Sequence, residues 1–169
     1  MADKVAKENN GAAEGTPPQQ PRVQILNQYT RDLSFENVAV QKDRMPEGKT
    51  DFAVQVALNA RKLDENQYEV INKLKVAATI GEDKIFILEL DYAGRFKIEN
   101  VPKEQLHAFL MVECPRLIFP YLRRVVGDVT RDGGYPPLNL DNIDFLALYR
   151  GEMARMAKAQ AEAKDATIS

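Results

Sequence analysis

Between residues 22 and 99, apolar residues mostly alternate with polar ones, which is the period of half-buried β-strands. The first run carries Val23, Ile25 and Tyr29 and resumes with Leu33 and Phe35, so it predicts a strand that is bulged where the alternation breaks. Three further runs predict strands, and the apolar residues on one side of them are Phe52, Val54, Val56 and Leu58; Tyr68, Val70, Leu74, Val76, Ala78 and Ile80; and Phe86, Leu88, Leu90 and Tyr92. Short connections such as Asp64–Asn66 favour hairpins, so the pattern predicts a four-stranded antiparallel sheet.

After the fourth strand the apolar period changes to that of helices. Pro102 is suited to open a helix over Lys103–Val126, and Gly133–Pro137 should end this region. Asp141 is predicted to cap a final helix, with Asp144 favourably near its N-terminus. The expected fold is therefore α+β: a four-stranded antiparallel sheet followed by two helices packed on one side.

The two ends of the chain differ in composition from its middle. Residues 1–21 are rich in Gly, Ala, Asn and Gln and lack the apolar centre of a secretory signal, so they predict a disordered tail. One domain is expected over residues 22–157, followed by a flexible tail over residues 158–169, where the apolar stripe gives way to Ala, Lys, Gln and Glu. No segment approaches the ~18 continuous apolar residues that cross a bilayer. The expected location is the cytoplasm, without insertion into a membrane.

Composition narrows the function further. The 169 residues are 44% hydrophobic and 28% charged, with a net charge of -2, which gives no reason to expect nucleic-acid binding. His107 and Cys114 are the only residues of their types, so neither a Cys/His metal cluster nor a disulfide framework can form within the chain. No glycine-rich phosphate loop is present. We expect no cofactor, metal or catalytic centre, and an enzyme with a small-molecule pocket is kept as a remote alternative.

Two apolar groups on the helices are candidates for contact with other polypeptides. The final helix carries one stripe, formed by Phe145, Leu148, Tyr149, Met153 and Met156. Such a stripe usually faces a core, but flexible Met and large aromatic side chains also suit contact with unfolded chains. The preceding helix carries a second group, Ile118, Phe119, Tyr121 and Leu122, which is open to the same two interpretations and to subunit contact. The candidate residues for contact with unfolded chains are Phe119, Tyr121, Phe145, Tyr149 and Met153.

A second candidate surface is acidic. Asp32 and Glu36 are four residues apart on a strand and should share a face, while Glu82 follows Ile80 by two. The two pairs could meet on one exposed side of the sheet. Taken alone, this pattern is typical of an ordinary solvated sheet face.

Several motifs together resemble one known family. Cys114–Arg123 reads CPRLIFPYLR, with two prolines in an apolar helix-like run, and it is followed by PLNL at Pro137–Leu140. Gln28–Glu36 resembles the first-strand motif of the SecB family of protein-export chaperones, and Gln41–Asp43 with Pro46-Glu47 resembles the loop after it. Further matches at Tyr68–Val70 and Thr79–Glu82 extend the resemblance over about residues 22 to 150. One departure is that Arg44 and Met45 stand where many members carry a tryptophan.

The resemblance implies a function and a site. SecB chaperones hold unfolded precursor proteins without ATP and deliver them to the SecA motor ATPase. Family members are tetramers, built as dimers of dimers, with apolar grooves at the sheet-helix junctions. In that family, the positions that match Asp32, Glu36, Ile80 and Glu82 form the docking surface for a basic segment of SecA. A nearer alternative is a SecB-like chaperone dedicated to one partner, such as a toxin-antitoxin pair.

Overall fold

The computed structural model describes residues 19–168, with side chains up to residue 165. Its elements in chain order are β1 (Arg22–Glu36), α1 (Val38–Gln41), β2 (Asp51–Asp64), β3 (Gln67–Ile80), β4 (Asp83–Glu99), α2 (Lys103–Asp132) and α3 (Phe145–Ile168). The predicted α+β fold, with four antiparallel strands followed by two long helices, is confirmed. The single turn α1 was not predicted.

The four strands form one antiparallel sheet in the order β1-β4-β3-β2, so β3 and β4 are central and β1 and β2 are edges. The turn predicted at Asp64–Asn66 joins β2 to β3, and Asn66 adopts the left-handed conformation there, with φ 56°. β1 shifts register twice, between Ile25 and Asn27 and between Thr30 and Asp32. The bulge predicted in the first strand is thus confirmed.

The sheet has one face toward α2 and one face away from it. Leu33, Leu90, Leu74 and Val56 align across the four strands on the helix side, where Leu74 and Leu90 belong to the core. The neighbouring row is formed by Asp32, Asp91, Lys73 and Ala57, which point the opposite way because alternate residues face opposite sides. We call this second side the open face.

Helix α2 covers the sheet despite its two internal prolines, Pro115 and Pro120. Proline disfavours a helix interior because it lacks a donor and crowds the preceding turn. Here tertiary packing compensates, because one stripe of α2 is buried in the core. The amide nitrogen of Asn72 on β3 also donates to the Pro115 carbonyl at 3.3 Å and ties the helix to the sheet. Gly94 of β4 permits this close approach, since a Cβ there would lie 3.1 Å from Ile118 and closer still to Phe96.

Helix α3 packs on α2, not directly on the sheet. The predicted cap at Asp141 is wrong, because residues 141–144 are not helical and Asp144 accepts the Ala147 amide at 2.9 Å through its carboxylate. The buried Leu140 and half-buried Ile143 pack with the core just before this turn, which keeps Asp141 outside the helix.

The chain ends bear on the predicted tails. Residues 1–18 of the predicted N-terminal tail lie outside the described residues. At the other end, α3 continues as a helix to Ile168, exposed over residues 158–165, where we expected a flexible tail from residue 158. The domain limits of 22–157 stay a prediction.

Candidate polypeptide-binding groove and docking face

A groove of about 980 Å³ lies between the edge strand β2 and helix α3. It exists because α3 is held by α2 near its first turns. Phe145 packs edge-to-face on Phe119 with ring centroids 5.7 Å apart, and Tyr149 packs on His107 with centroids 5.5 Å apart. The Tyr149 hydroxyl also lies 3.2 Å from His107 Nδ1. Beyond these contacts, α3 stands over β2 without packing on it, and the space between them is the groove.

The groove wall is mainly apolar and rich in methionine. Its apolar residues come from three elements and the loop before α3: Val56 and Leu58 on β2, Met111 on α2, Ile143, and Leu148, Met153 and Met156 on α3. Met153 and Met156 remain 40% and 48% exposed. Flexible, polarizable side chains of this kind adapt to apolar groups of different shape.

The structure separates the five candidate client-binding residues. Tyr149 and Met153 line the groove. Phe119 and Phe145 are 5% and 1% exposed and lie in the core, so they contribute to the groove by positioning α3. Tyr121 is exposed on α2 but is not part of the groove wall. Whether any of the five contacts a client stays a prediction.

Several groove residues were not predicted as client contacts. Val56 and Leu58 were expected only as an apolar side of a strand, and His107 and Met111 had no assigned role. The alternation along β2 did identify its apolar side. It did not show that β2 is an edge strand or that α3 would stop short of covering it.

Asp32 and Glu36 lie on the open face, as predicted. They pair with Asp91 and Ile87 of β4, and no register shift falls between them. Both side chains are exposed, and within residues 19–168 neither forms an ion pair. The neighbouring carboxylates on β4 have their charges compensated by lysines of β3, since Asp91 pairs with Lys73 at 3.0 Å and Glu89 with Lys75 at 2.6 Å. Asp32 and Glu36 are therefore available to basic groups of a partner.

Ile80 and Glu82 lie at the end of the sheet that Glu36 approaches. Ile80 is half-buried against the core beside Gly48, and Glu82 is exposed in the tight turn between β3 and β4. Arg44 lies where many members of the resembled family carry a tryptophan. Its guanidinium reaches this turn and pairs with Asp83 at 3.2 Å. The four predicted docking residues thus lie in one half of the sheet, but the two pairs do not meet on one exposed face as expected, because Ile80 packs toward the core.

The other half of the open face is basic. Glu69 of β3 is 2% exposed and accepts hydrogen bonds from the Tyr29 hydroxyl, from Arg31 at 2.9 Å and from Arg61 at 2.5 Å. Arg95 lies over the Tyr29 ring, 6.0 Å from its centroid. We call Arg31, Arg61 and Arg95 the basic corner. Tyr29 reaches across β4 to Glu69 because the strand between them carries only the small Ala93 at that point.

Burial opposes ionisation of Glu69, but the hydrogen bonds from Arg61 and Tyr29 and the charges of Arg61 and Arg31 outweigh it, so its pKa is lowered. A carboxyl whose pKa is lower in the folded state stabilises the fold above its unfolded pKa of about 4.3, and this stability is lost as the pH falls through the folded value. We therefore expect Glu69→Gln to unfold more easily than the parent protein at pH 7. The difference should begin to shrink below about pH 4.3, where the unfolded carboxyl takes up a proton, and it should vanish only below the lower folded pKa, where both side chains are neutral.

Thermal unfolding followed by circular dichroism between pH 3 and pH 7 measures this difference. Glu89→Gln is the matched control, because Glu89 is half exposed and pairs only with Lys75. Its difference from the parent should be small at every pH. A Glu69→Gln difference that stays constant down to pH 3 would contradict a role for the carboxylate charge.

Cys114 and His107 do not form a reactive pair. Burial, with a smaller contribution from the Glu113 charge, raises the pKa of the Cys114 thiol to about 12, so the nucleophilic thiolate is suppressed at neutral pH. His107 instead contacts Tyr149. Across residues 19–168, no group of His, Cys, Asp and Glu side chains is arranged to hold a metal ion. None of the helices in the same range has an apolar stretch long enough to cross a bilayer.

The comparisons with known proteins agree with this architecture. A SecB-like chaperone from Mycobacterium tuberculosis, solved in complex with an antitoxin peptide, matches with a TM-score of 0.62 at 16% identity, covering 72% of this chain and 91% of that one. The family model described as preprotein translocase subunit SecB matches residues 16–156. The protein-export protein SecB of a Ruegeria species is 59% identical, over 90% of this chain and 96% of that protein. That of Dinoroseobacter shibae is 55% identical, over 99% and 100%.

The four-stranded sheet followed by two long helices is thus the fold of a SecB-like chaperone. The chain belongs to the SecB family of protein-export proteins. Relatives at 51 to 59% identity carry the export name, so the alternative of a chaperone dedicated to a toxin-antitoxin pair is not favoured.

Proposed function

We propose that this protein binds unfolded precursor polypeptides in the groove between β2 and α3, keeps them from folding or aggregating, and delivers them to the SecA ATPase. The observation that carries the proposal is the groove itself, which is open, mainly apolar and lined by exposed methionines on α3. The SecB-like relative bound to a peptide supports a polypeptide as occupant. We propose that binding and delivery take place in the cytoplasm, before translocation, and involve no catalytic step.

Binding in such a groove is selective for unfolded chains because only they expose runs of apolar side chains. Each contact is weak, since a single side chain buries limited area. Affinity becomes useful when one client engages several grooves at once, because each further contact is then intramolecular. The proposal therefore requires an assembly of subunits.

Subunit association is supported by apolar surface that one subunit leaves uncovered. Helix α2 packs mainly on β2, β3 and β4, so the helix-side residues Ile25 and Leu33 of β1 remain 37% and 42% exposed. On α2, Leu117 and Tyr121 remain 41% and 44% exposed. Apolar surface of this kind is commonly buried between copies of a chain. We propose the tetramer expected of the family, a dimer of dimers.

SecA docking is proposed for Asp32, Glu36, Ile80 and Glu82. Asp32 and Glu36 form what we call the acidic half of the open face, and Ile80 and Glu82 lie at the adjoining end of the sheet. Two of these carboxylates, Asp32 and Glu36, lack ion pairs within the described residues and point away from α2. The groove lies on the other side of β2, against α3. Client capture and motor docking would therefore use separate surfaces of one subunit.

We expect the purified protein to suppress aggregation of a denatured substrate without ATP, because neither the sequence nor the groove offers a nucleotide-binding loop. Light scattering during dilution of the substrate from denaturant measures this activity. An equal mass of a protein of similar charge that is not a chaperone is the control. An absolute requirement for added ATP would contradict the proposed activity. The tetramer is tested separately, by the mass of the purified protein in light scattering, and a monomeric mass at micromolar concentration would contradict it.

A further inference from the structure

The basic corner has more positive than negative charge within the described residues. Two guanidinium groups, those of Arg31 and Arg61, contact the single carboxylate of Glu69, and a third, that of Arg95, lies over the Tyr29 ring. Arg31 and Arg61 are 42% and 56% exposed although both contact Glu69. Arg95 is exposed and has no carboxylate partner within residues 19–168. The corner therefore presents a positive surplus to solvent.

The guanidinium groups of Arg31 and Arg61 are held in place by hydrogen bonds to Glu69, and each group keeps other N–H donors free. Arg61 uses Nε on Glu69, and Arg31 uses one terminal nitrogen. Their other nitrogens have no acceptor within the described residues. Tyr29 fixes the second oxygen of Glu69 and lies under Arg95. Prepositioned guanidinium donors bind carboxylates well, because little side-chain freedom is lost on binding.

The position of the corner favours a short acidic group over a long polyanion. On β4, Arg95 is six residues from Glu89, which places the two ends of the open face about 20 Å apart at ~3.3 Å per residue. Asp32 and Asp91 lie between them on the same face. A nucleic acid crossing this face would meet repulsive carboxylates, whereas a polypeptide can carry an acidic residue at one point and basic residues at another.

We propose that the basic corner binds a carboxylate of the partner polypeptide whose basic residues occupy the acidic half of the same face. This inference rests on the proposed docking function and extends it. The open face is then a two-ended docking surface, in which the basic corner fixes the position of the partner segment along the sheet. A partner segment shifted along the sheet would bring its basic residues toward the basic corner, and the repulsion between like charges would disfavour that position.

The corner can be tested by itself with a hexaglutamate peptide, measured by calorimetry at low salt on the full-length protein. We expect measurable binding that weakens about fivefold or more in Arg95→Gln, a variant that leaves all donors to Glu69 in place. Lys62→Gln is the matched control. Lys62 is next to Arg61 on β2, but it pairs with the core residue Tyr68 and so faces the opposite side of the sheet. The substitution removes the same charge, and the variant should bind hexaglutamate as the parent protein does.

Three results would overturn the assignment of the corner. The first is the absence of hexaglutamate binding to the parent protein at low salt. The second is an equal loss of binding in Arg95→Gln and Lys62→Gln. The third is tighter binding of a single-stranded RNA of equal charge that is likewise lost in Arg95→Gln, which would assign the corner to nucleic acid.

A pair of longer peptides tests whether the two ends of the open face act together. Each peptide has four lysines, a six-residue Gly/Ser spacer and a terminal pair of residues, which is two glutamates in one peptide and two glutamines in the other. Each peptide is also made with the order of its parts reversed, so that both chain directions are tested. We expect the glutamate peptide to bind about fivefold tighter in one direction, and the advantage to vanish in Arg95→Gln. No advantage in either direction would overturn the inference. If no lysine peptide binds while hexaglutamate does, the proposed docking by the acidic half fails and the anion-binding corner stands.

Discussion

Replacing Phe145 with alanine is expected to lower the free energy of unfolding by about 3–5 kcal/mol. The ring is 1% exposed and packs edge-to-face on Phe119, so its removal leaves a cavity at the junction of α2 and α3. That junction also positions the groove, because α3 has few other attachments. Urea unfolding followed by circular dichroism measures the loss. Parent and variant must be compared at one protein concentration, since association contributes to the stability of an oligomer.

Met153→Ala is the matched comparison, because it removes an apolar side chain that is 40% exposed on the groove wall of the same helix. We expect it to reduce suppression of client aggregation with little change in unfolding. Tyr149→Ala should show both effects, since the ring lines the groove and contacts His107. If Phe145→Ala reduced client capture but left stability unchanged, Phe145 would be a client contact and α3 would be detached from α2 in solution.

The local parts of the fold could be predicted from the sequence. Alternation identified all four strands, because half-buried strands leave a period of two in the apolar residues. The turn at Asp64–Asn66 was recognisable from its residue types, and Pro102 marked the start of α2. These features depend on residues that are close in sequence.

The features that depend on distant residues could not be predicted from local patterns. The continuity of α2 through Pro115 and Pro120 depends on burial of its stripe against β3 and β4. The order of the strands, which makes β2 an edge and so forms the groove, has no local signature.

The site was predicted in part for the same reason. Asp32 and Glu36 were placed on one face by simple alternation, which holds because the second bulge of β1 ends just before Asp32. The basic corner was missed, since Tyr29 and Arg31 meet Glu69 across about 40 residues of sequence and across an intervening strand. In the final helix, the stripe was identified, but only the packing on α2 shows that Phe145 lies in the core and Met153 on the groove wall.

Asp32→Lys is expected to weaken SecA binding by about tenfold or more at low salt, because it replaces an attraction for a basic segment with a repulsion. The fold should survive. Asp32 is exposed on an edge strand and pairs across to Asp91, so a lysine there gains an acidic neighbour. Glu82→Lys, in the exposed turn between β3 and β4, should act in the same direction.

Calorimetry with SecA at two salt concentrations measures the effect, which should diminish at high salt because exposed charges are screened. Glu65→Lys is the matched control. It makes the same charge change in an exposed turn, but at the opposite end of the sheet. All three variants should keep the assembly mass and the suppression of client aggregation, since the groove lies on the α3 side of β2. Unaltered SecA affinity in both Asp32→Lys and Glu82→Lys at low salt would show that the motor does not dock on the acidic half of the open face.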